Sequence, residues 1–214
     1  MAFSPLFLSL FACALPQSTP RVEVIHANLP GWTESEVPGL PGVRFKSSGA
    51  PFERLRVAPN GRYAMIATTD AAPFLAVIRD GAFLLGKGDV APWEVSETID
   101  HIEALDITSA GTLALACRTL GGSFSDDAHI VNLDGLGWTI EYTESDPVTS
   151  LGGVGHGSSF YNPNVLEDGS LAFTNDDLIG AGFGLDHAAF LNDQLILQIG
   201  VDEPTGQLSG GSTV

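Results

Sequence analysis

The chain has 214 residues, 44% of them hydrophobic, and sets 26 acidic residues against nine basic ones for a formal net charge of −17. That length accommodates one sizeable core or two small ones, and the apolar fraction excludes a disordered chain. The charge argues against nucleic-acid phosphates and anionic lipid as partners; it suits cations, basic partners or a saline setting that screens self-repulsion.

The first segment, "MAFSPLFLSLFACALPQSTP", carries a compact apolar run from Pro5 to Leu15. The run is too short to span a bilayer and matches the core of an export signal. Ala12-Cys13-Ala14 offers a small-x-small cleavage pattern, so residues 1–14 are expected to be a signal peptide and 15–38 a linker or partial repeat. The region before the run has no Lys or Arg, which leaves a buried N-terminal strand or helix as the alternative. "LFAC" resembles the lipobox of bacterial lipoproteins, which would make Cys13 an acylation site. The expected location is secreted, periplasmic or cell-surface, with no integral membrane segment once the signal is removed. Loss of Cys13 leaves Cys117 alone in the apolar run "TLALACRTL", where a buried inert thiol is expected rather than a nucleophile.

The next element, "VAPNGRYAMIATTD" (57–70), is echoed by "ITSAGTLALACRTL" (107–120) and "VLEDGSLAFTNDDL" (165–178). Each copy is a polar turn closed by Gly61, Gly111 or Gly169 and followed at once by a strand-like run. A second block follows each: "PFLAVIRDGAFLLGKGD", "AHIVNLDGLGWTIEYTESD" and "HAAFLNDQLILQIGVD". Their turns are Asp80-Gly81, Asp134-Gly135 and Asn192-Asp193, and their second runs end at Asp89, Asp146 and Asp202, each with a proline soon after (Pro92, Pro147, Pro204). "VSETIDHIEALDI" fits a short helix or a strand equally, because Ile99, Ile102 and Leu105 are spaced by three.

Units of this length with three or four short strands bury a core only by stacking on neighbours. The expected fold is all-β, a β-propeller-like array of short antiparallel strands over 39–214, with units at about 39–92, 93–147 and 148–204 and a further one beginning at 205–214. Three units are too few to close a propeller, so the array is incomplete, open, or completed by the N-terminal segment, further repeats or oligomerisation.

The pieces "GSLAFTND", "RDGAFLLGKGDVAP" and "LPGVRFKSSGAPFERLRVAPNG" resemble repeats in exported bacterial proteins of unassigned function, in which a "G-x-v-a-F" strand precedes a "G-D-x-x-P" hairpin and linker. Copies two and three depart from that ending with "YTESD" and "GVDEP". The resemblance covers about 39–214 and implies a propeller-like fold with no catalytic residue to carry over.

Candidate residues are few. His156, in the Gly/Ser stretch "LGGVGHGSSF" between units two and three, is a metal ligand, a base, an anion contact or an exposed residue of a long link. His129 and His187 begin equivalent runs one place out of register, which would turn them to opposite faces. Asp126-Asp127 and Asp176-Asp177 have the charge of calcium loops without the spacing, and read as solvated turns. Ser158 and Ser159 lack a nucleophile elbow, while Glu94, Glu103 and Asp106 would serve a glycosidase only at the right separation. Trp32, Trp93 and Trp138 read as core or edge packing, or as platforms for sugar or protein if exposed. No catalytic residue, cofactor or metal is assigned. The leading expectation is a non-enzymatic exported interaction or cell-surface module with a protein or glycan partner; the alternative is an extracellular glycan-acting hydrolase or lyase.

Overall fold

The computed structural model describes residue 26 and residues 35–122, 127–182 and 184–200. In these residues thirteen strands form three antiparallel sheets. The first holds β1 (Phe52–Val57), β2 (Tyr63–Thr68), β3 (Leu75–Arg79) and β4 (Ala82–Gly86). The second holds β5 (Val90–Ala91), β6 (Glu94–Ile107), β7 (Leu113–Leu120), β8 (Ala128–Leu133) and β9 (Trp138–Thr143). The third holds β10 (Ser159–Val165), β11 (Leu171–Asp176), β12 (Ala188–Leu191) and β13 (Gln194–Gln198). In every sheet each strand pairs with its neighbour in sequence, so the expected all-β class holds. The proposed signal segment, Cys13, Trp32, Asp126, Asp202 and Pro204 lie outside the described residues.

The ambiguous run "VSETIDHIEALDI" is strand throughout, within β6. Register shifts fall between Ile99 and His101 and again between Ile102 and Ala104. Each shift inserts one residue, so Ile99, Ile102 and Leu105 all turn inward at a spacing of three, and the apolar pattern imitates a helix.

The three glycine turns fold alike. Gly61, Gly111 and Gly169 all have φ near +90° (87°, 92° and 87°), which a β-carbon would oppose. Their N–H groups donate to the carbonyls of Ala58, Thr108 and Leu166, each at 2.9 Å. Those same three residues donate their own N–H groups to Arg62, Thr112 and Ser170.

The segments leading into each sheet also match. Phe45, Ile99 and His156 donate their N–H groups at 2.9 Å to the carbonyls of Ser35, Asp89 and Asp146, ten positions earlier in each case. Two of the links agree further: Val37 N–H donates to Val43 and Val148 N–H to Val154, while Leu40 and Leu151 close the turn inside. The link before the third sheet is therefore no longer than the others, and the added residues sit in the β7–β8 and β11–β12 connections. Asp89 and Asp146 share a role as well, each accepting from a backbone N–H three positions earlier, Gly86 and Thr143.

Packing runs from sheet to sheet. β6 lies against β1 and β2, and β10 lies against β6, β7 and β8. One face of the second sheet, with Leu113, Leu115, Cys117 and Val131, shares a core with Ala64, Ile66, Val77 and Leu85 of the first. Its other face, with Ala114, Ala116 and Ile130, packs on Phe160, Phe173 and Phe190 of the third. Coverage on both faces explains why β7 is a nearly unbroken apolar run rather than an alternating one. A third cluster, Val37, Phe45, Met65, Ala67 and Ile78, covers the outer face of the first sheet in part.

Ala64 and Ala114 occupy matching positions three residues after Gly61 and Gly111, and both are fully covered by the following sheet. Replacing either with Leu should lower the unfolding free energy by about 1–3 kcal/mol through overpacking, measured by urea denaturation. A loss under about 0.5 kcal/mol, the range of an ordinary surface change, would mean that no sheet covers that face.

Candidate functional site

The matched turns and links make it possible to compare core positions across the three sheets, and two polar pairs stand out. The first is in the second sheet. His129 on β8 faces Cys117 on β7 and Thr143 on β9. The corresponding residues in the other sheets are Ala76, facing Ala67, and Ala188, facing Asn175. Glu97, two residues before Ile99, stands where the other links have Val43 and Val154.

These replacements meet in the interior. His129 Nε2 lies 3.3 Å from Glu97 Oε2 and 3.2 Å from Thr119 Oγ1. Thr119 donates its hydroxyl to the same Glu97 oxygen at 2.6 Å, and His129 Nδ1 is 3.2 Å from Thr143 Oγ1. The order Thr143–His129–Glu97 is that of an activated hydroxyl. Glu97, Thr119 and His129 are all buried, however, and Thr143 is half-buried on its strand, so the geometry ties four strands, β6 to β9, together in the interior of the sheet. Sequence reasoning singled out His129 but missed Glu97, Thr119 and Thr143; the available signal was a charged residue at a position where two sister links carry valine. Burial raises the pKa of the nearby Cys117 thiol strongly, reinforced by Glu97 and Glu103, and keeps it an inert core thiol.

The second pair is in the third sheet and corrects the expectation of a solvent-exposed His156. That side chain is only 3% exposed. Its position matches Phe45 and Ile99, and it is ringed by Tyr142, Phe160, Phe173 and Phe190 at centroid distances of 5.3–5.7 Å. The two glycines flanking it reflect crowding: a β-carbon on Gly157 would run into the Asp177 carbonyl oxygen, and one on Gly155 would lie 3.2 Å from the Ser145 carbonyl oxygen. Asn175, which replaces Ala67 and Cys117, accepts from Gly157 N–H and donates to the carbonyls of Gly157 and Ser159. It stands beside His156, whose Nδ1 has no partner. Burial lowers the His156 pKa, opposed by Asn175 and by the more distant Asp146 and Asp193 carboxylates.

The remaining candidates are dispersed. His187 is partly exposed, with Nδ1 2.7 Å from Asp176 and Nε2 3.6 Å from Asp186; the Asp176 hydrogen bond raises its pKa. His129 is buried and His187 partly exposed, in keeping with their one-residue offset. Ser159 accepts from Arg118, and Asp127 accepts from Thr119 N–H through its carbonyl. Glu94 caps Ser96, Glu103 faces Arg118 and His101, and Asp106 accepts from Val165 N–H across the seam between the second and third sheets. Burial raises the Asp106 pKa despite the Ile107 and Val165 N–H groups and Arg56. Trp93 and Trp138 pack together at 5.3 Å on the first core, as edge packing requires. Among the described residues no three His, Cys, Asp or Glu side chains group as metal ligands would, and no helix is long and apolar enough to cross a membrane.

Glu97→Val or His129→Ala alone should cost about 3–5 kcal/mol by stranding the partner, whereas the double variant, which restores the residues of the sister sheets, should cost less than the sum. Urea denaturation of the cycle reads this, and strict additivity would dissolve the pairing. For His156 the folded-state pKa lies below the unfolded one, so its contribution to stability is present above about pH 6.5 and is lost as pH falls below it. His156→Phe should stay folded and lose less melting temperature than wild type between neutral and mildly acidic pH; equal losses would contradict a buried neutral imidazole.

No protein-family model, curated protein or solved structure matches this chain.

Proposed function

We propose that this chain is an exported, non-enzymatic interaction module whose three sheets are blades of a propeller-like array. Export is supported by the apolar run and small-x-small pattern of the first 14 residues. The blade reading is supported by the shared turns, the ten-position links and the contact of β6 and of β10 with the sheet before each. It agrees with the resemblance to exported bacterial repeat proteins.

One observation carries the non-enzymatic reading. The histidine–carboxylate pair in the interior, Glu97 with His129, is buried and spends its polar atoms on Thr119 and Thr143. Large apolar residues stand exposed instead on the first and third sheets, including Leu55, Val57 and Leu197, where a partner gains contact area. Incubating the purified chain with a panel of oligosaccharides, with and without Ca²⁺, should release no new reducing ends and no unsaturated products. Turnover abolished by Glu103→Gln or Asp106→Asn would replace this reading with that of a glycan-acting hydrolase or lyase.

A further inference from the structure

His156 sits at the seam between two sheets rather than within one. Tyr142 of β9 covers its ring from the second sheet, and Phe160 of β10, Phe173 of β11 and Phe190 of β12 cover it from the third. The matching positions hold Ile99 in the core between the first and second sheets and Phe45 on the outer face of the first, and neither side chain takes up a proton. The second seam therefore carries a titratable group where the first carries a hydrocarbon.

Each element packed on the ring brings its own titratable or charged groups. β9 brings Tyr142 and Glu141, with Glu144 just after it. The link brings Asp146, and the β12–β13 turn brings Asp193. β11 ends at Asp176, which with Asp177 and Asp186 bears on His187. β10 has no charged residue, and Arg118 of β7 reaches it through Ser159. Asp146 and Asp193 act on the imidazole only through their charge, and burial outweighs them. A proton on the ring would leave a cation among four aromatic rings with its Nδ1–H unpaired, whereas parting the two sheets gives both to water.

We propose that His156 is an acid-operated latch: a proton taken up by its imidazole parts the third sheet from the second, exposing Phe160, Phe173 and Phe190, while the first and second sheets stay together. Other groups at this seam work in the opposite sense. Asp106 accepts from Val165 N–H across it, and burial raises the Asp106 pKa, so its protonation favours the closed state. His187 binds its proton more tightly beside Asp176, so acid strengthens that contact. The Glu97–His129 pair lies inside the second sheet, and its loss would loosen β6 to β9 instead.

Native-state hydrogen exchange on the full chain, corrected for the intrinsic pH dependence of amide exchange, reads the latch. One proton bound on opening raises the opening constant by about tenfold for each pH unit below about pH 6.5. Amides of β10, β11 and β12 should lose protection along that slope, while those of β2 and β3 keep theirs. His156→Phe and His156→Ile, which carry the residues of the matching positions, should each abolish the slope. The same slope in either variant would overturn the proposal, as would an acid loss shared equally by β2 and β3. A loss centred on β6 to β9 would also overturn it and move the proton to His129.

Discussion

A sheet that is apolar on both faces must be covered on both, and the middle sheet of this protein imposes that requirement on everything around it. β7 buries Leu113, Leu115 and Cys117 on one side and Ala114 and Ala116 on the other. Its neighbours must therefore approach as whole faces. Each link closes with the same backbone hydrogen bond ten positions back, from Phe45, Ile99 or His156, so successive sheets start at the same place relative to the one before. The glycine turns then meet across the seams: Asn60 and Arg62 donate to Ser109 and Ala110, and Ser109 donates onward to Glu167. These exposed contacts set alignment, while the stability resides in the stacked faces.

The same rule makes its violations informative. Two polar pairs occupy positions that the sister sheets fill with apolar residues. Glu97 and His129 replace Val and Ala in the second sheet, and His156 and Asn175 replace Phe or Ile and Ala or Cys in the third. In each case both members are polar, and a lone polar group at either position would be stranded by burial. Both pairs bond mainly to their own strands and links, and they lock the sheets they occupy.

Much of this architecture was legible in the sequence, for physical reasons that differ by element. Gly61, Gly111 and Gly169 marked the turns because only a residue tolerant of positive φ fits there. Asp89 and Asp146 recurred because each carboxylate caps a backbone N–H, a local requirement that leaves a local trace. The burial of Cys117 and the edge packing of Trp93 and Trp138 followed from the apolar runs beside them. The links were harder. Their three versions share spacing and backbone bonding but few residues, so the match of Val37 with Val148 and of Leu40 with Leu151 emerges only in space. His156 was obscured by its glycines, which signal close approach as readily as freedom. The bulges of β6 hid its period, since an inserted residue shifts the alternation by one. The polar cluster around His129 was out of reach because its four members come from four separate strands of one sheet, and periodicity along a single strand carries no record of what lies beside it.

Native-state hydrogen exchange tests the double coverage of the middle sheet most directly, because it reads the opening free energy of each strand separately. Amides of β7 should be the slowest to exchange, those of β2 should follow, and those of the edge strands β1 and β13 should be the fastest. Exchange of β7 at the rate of the edge strands would contradict a sheet buried on both faces.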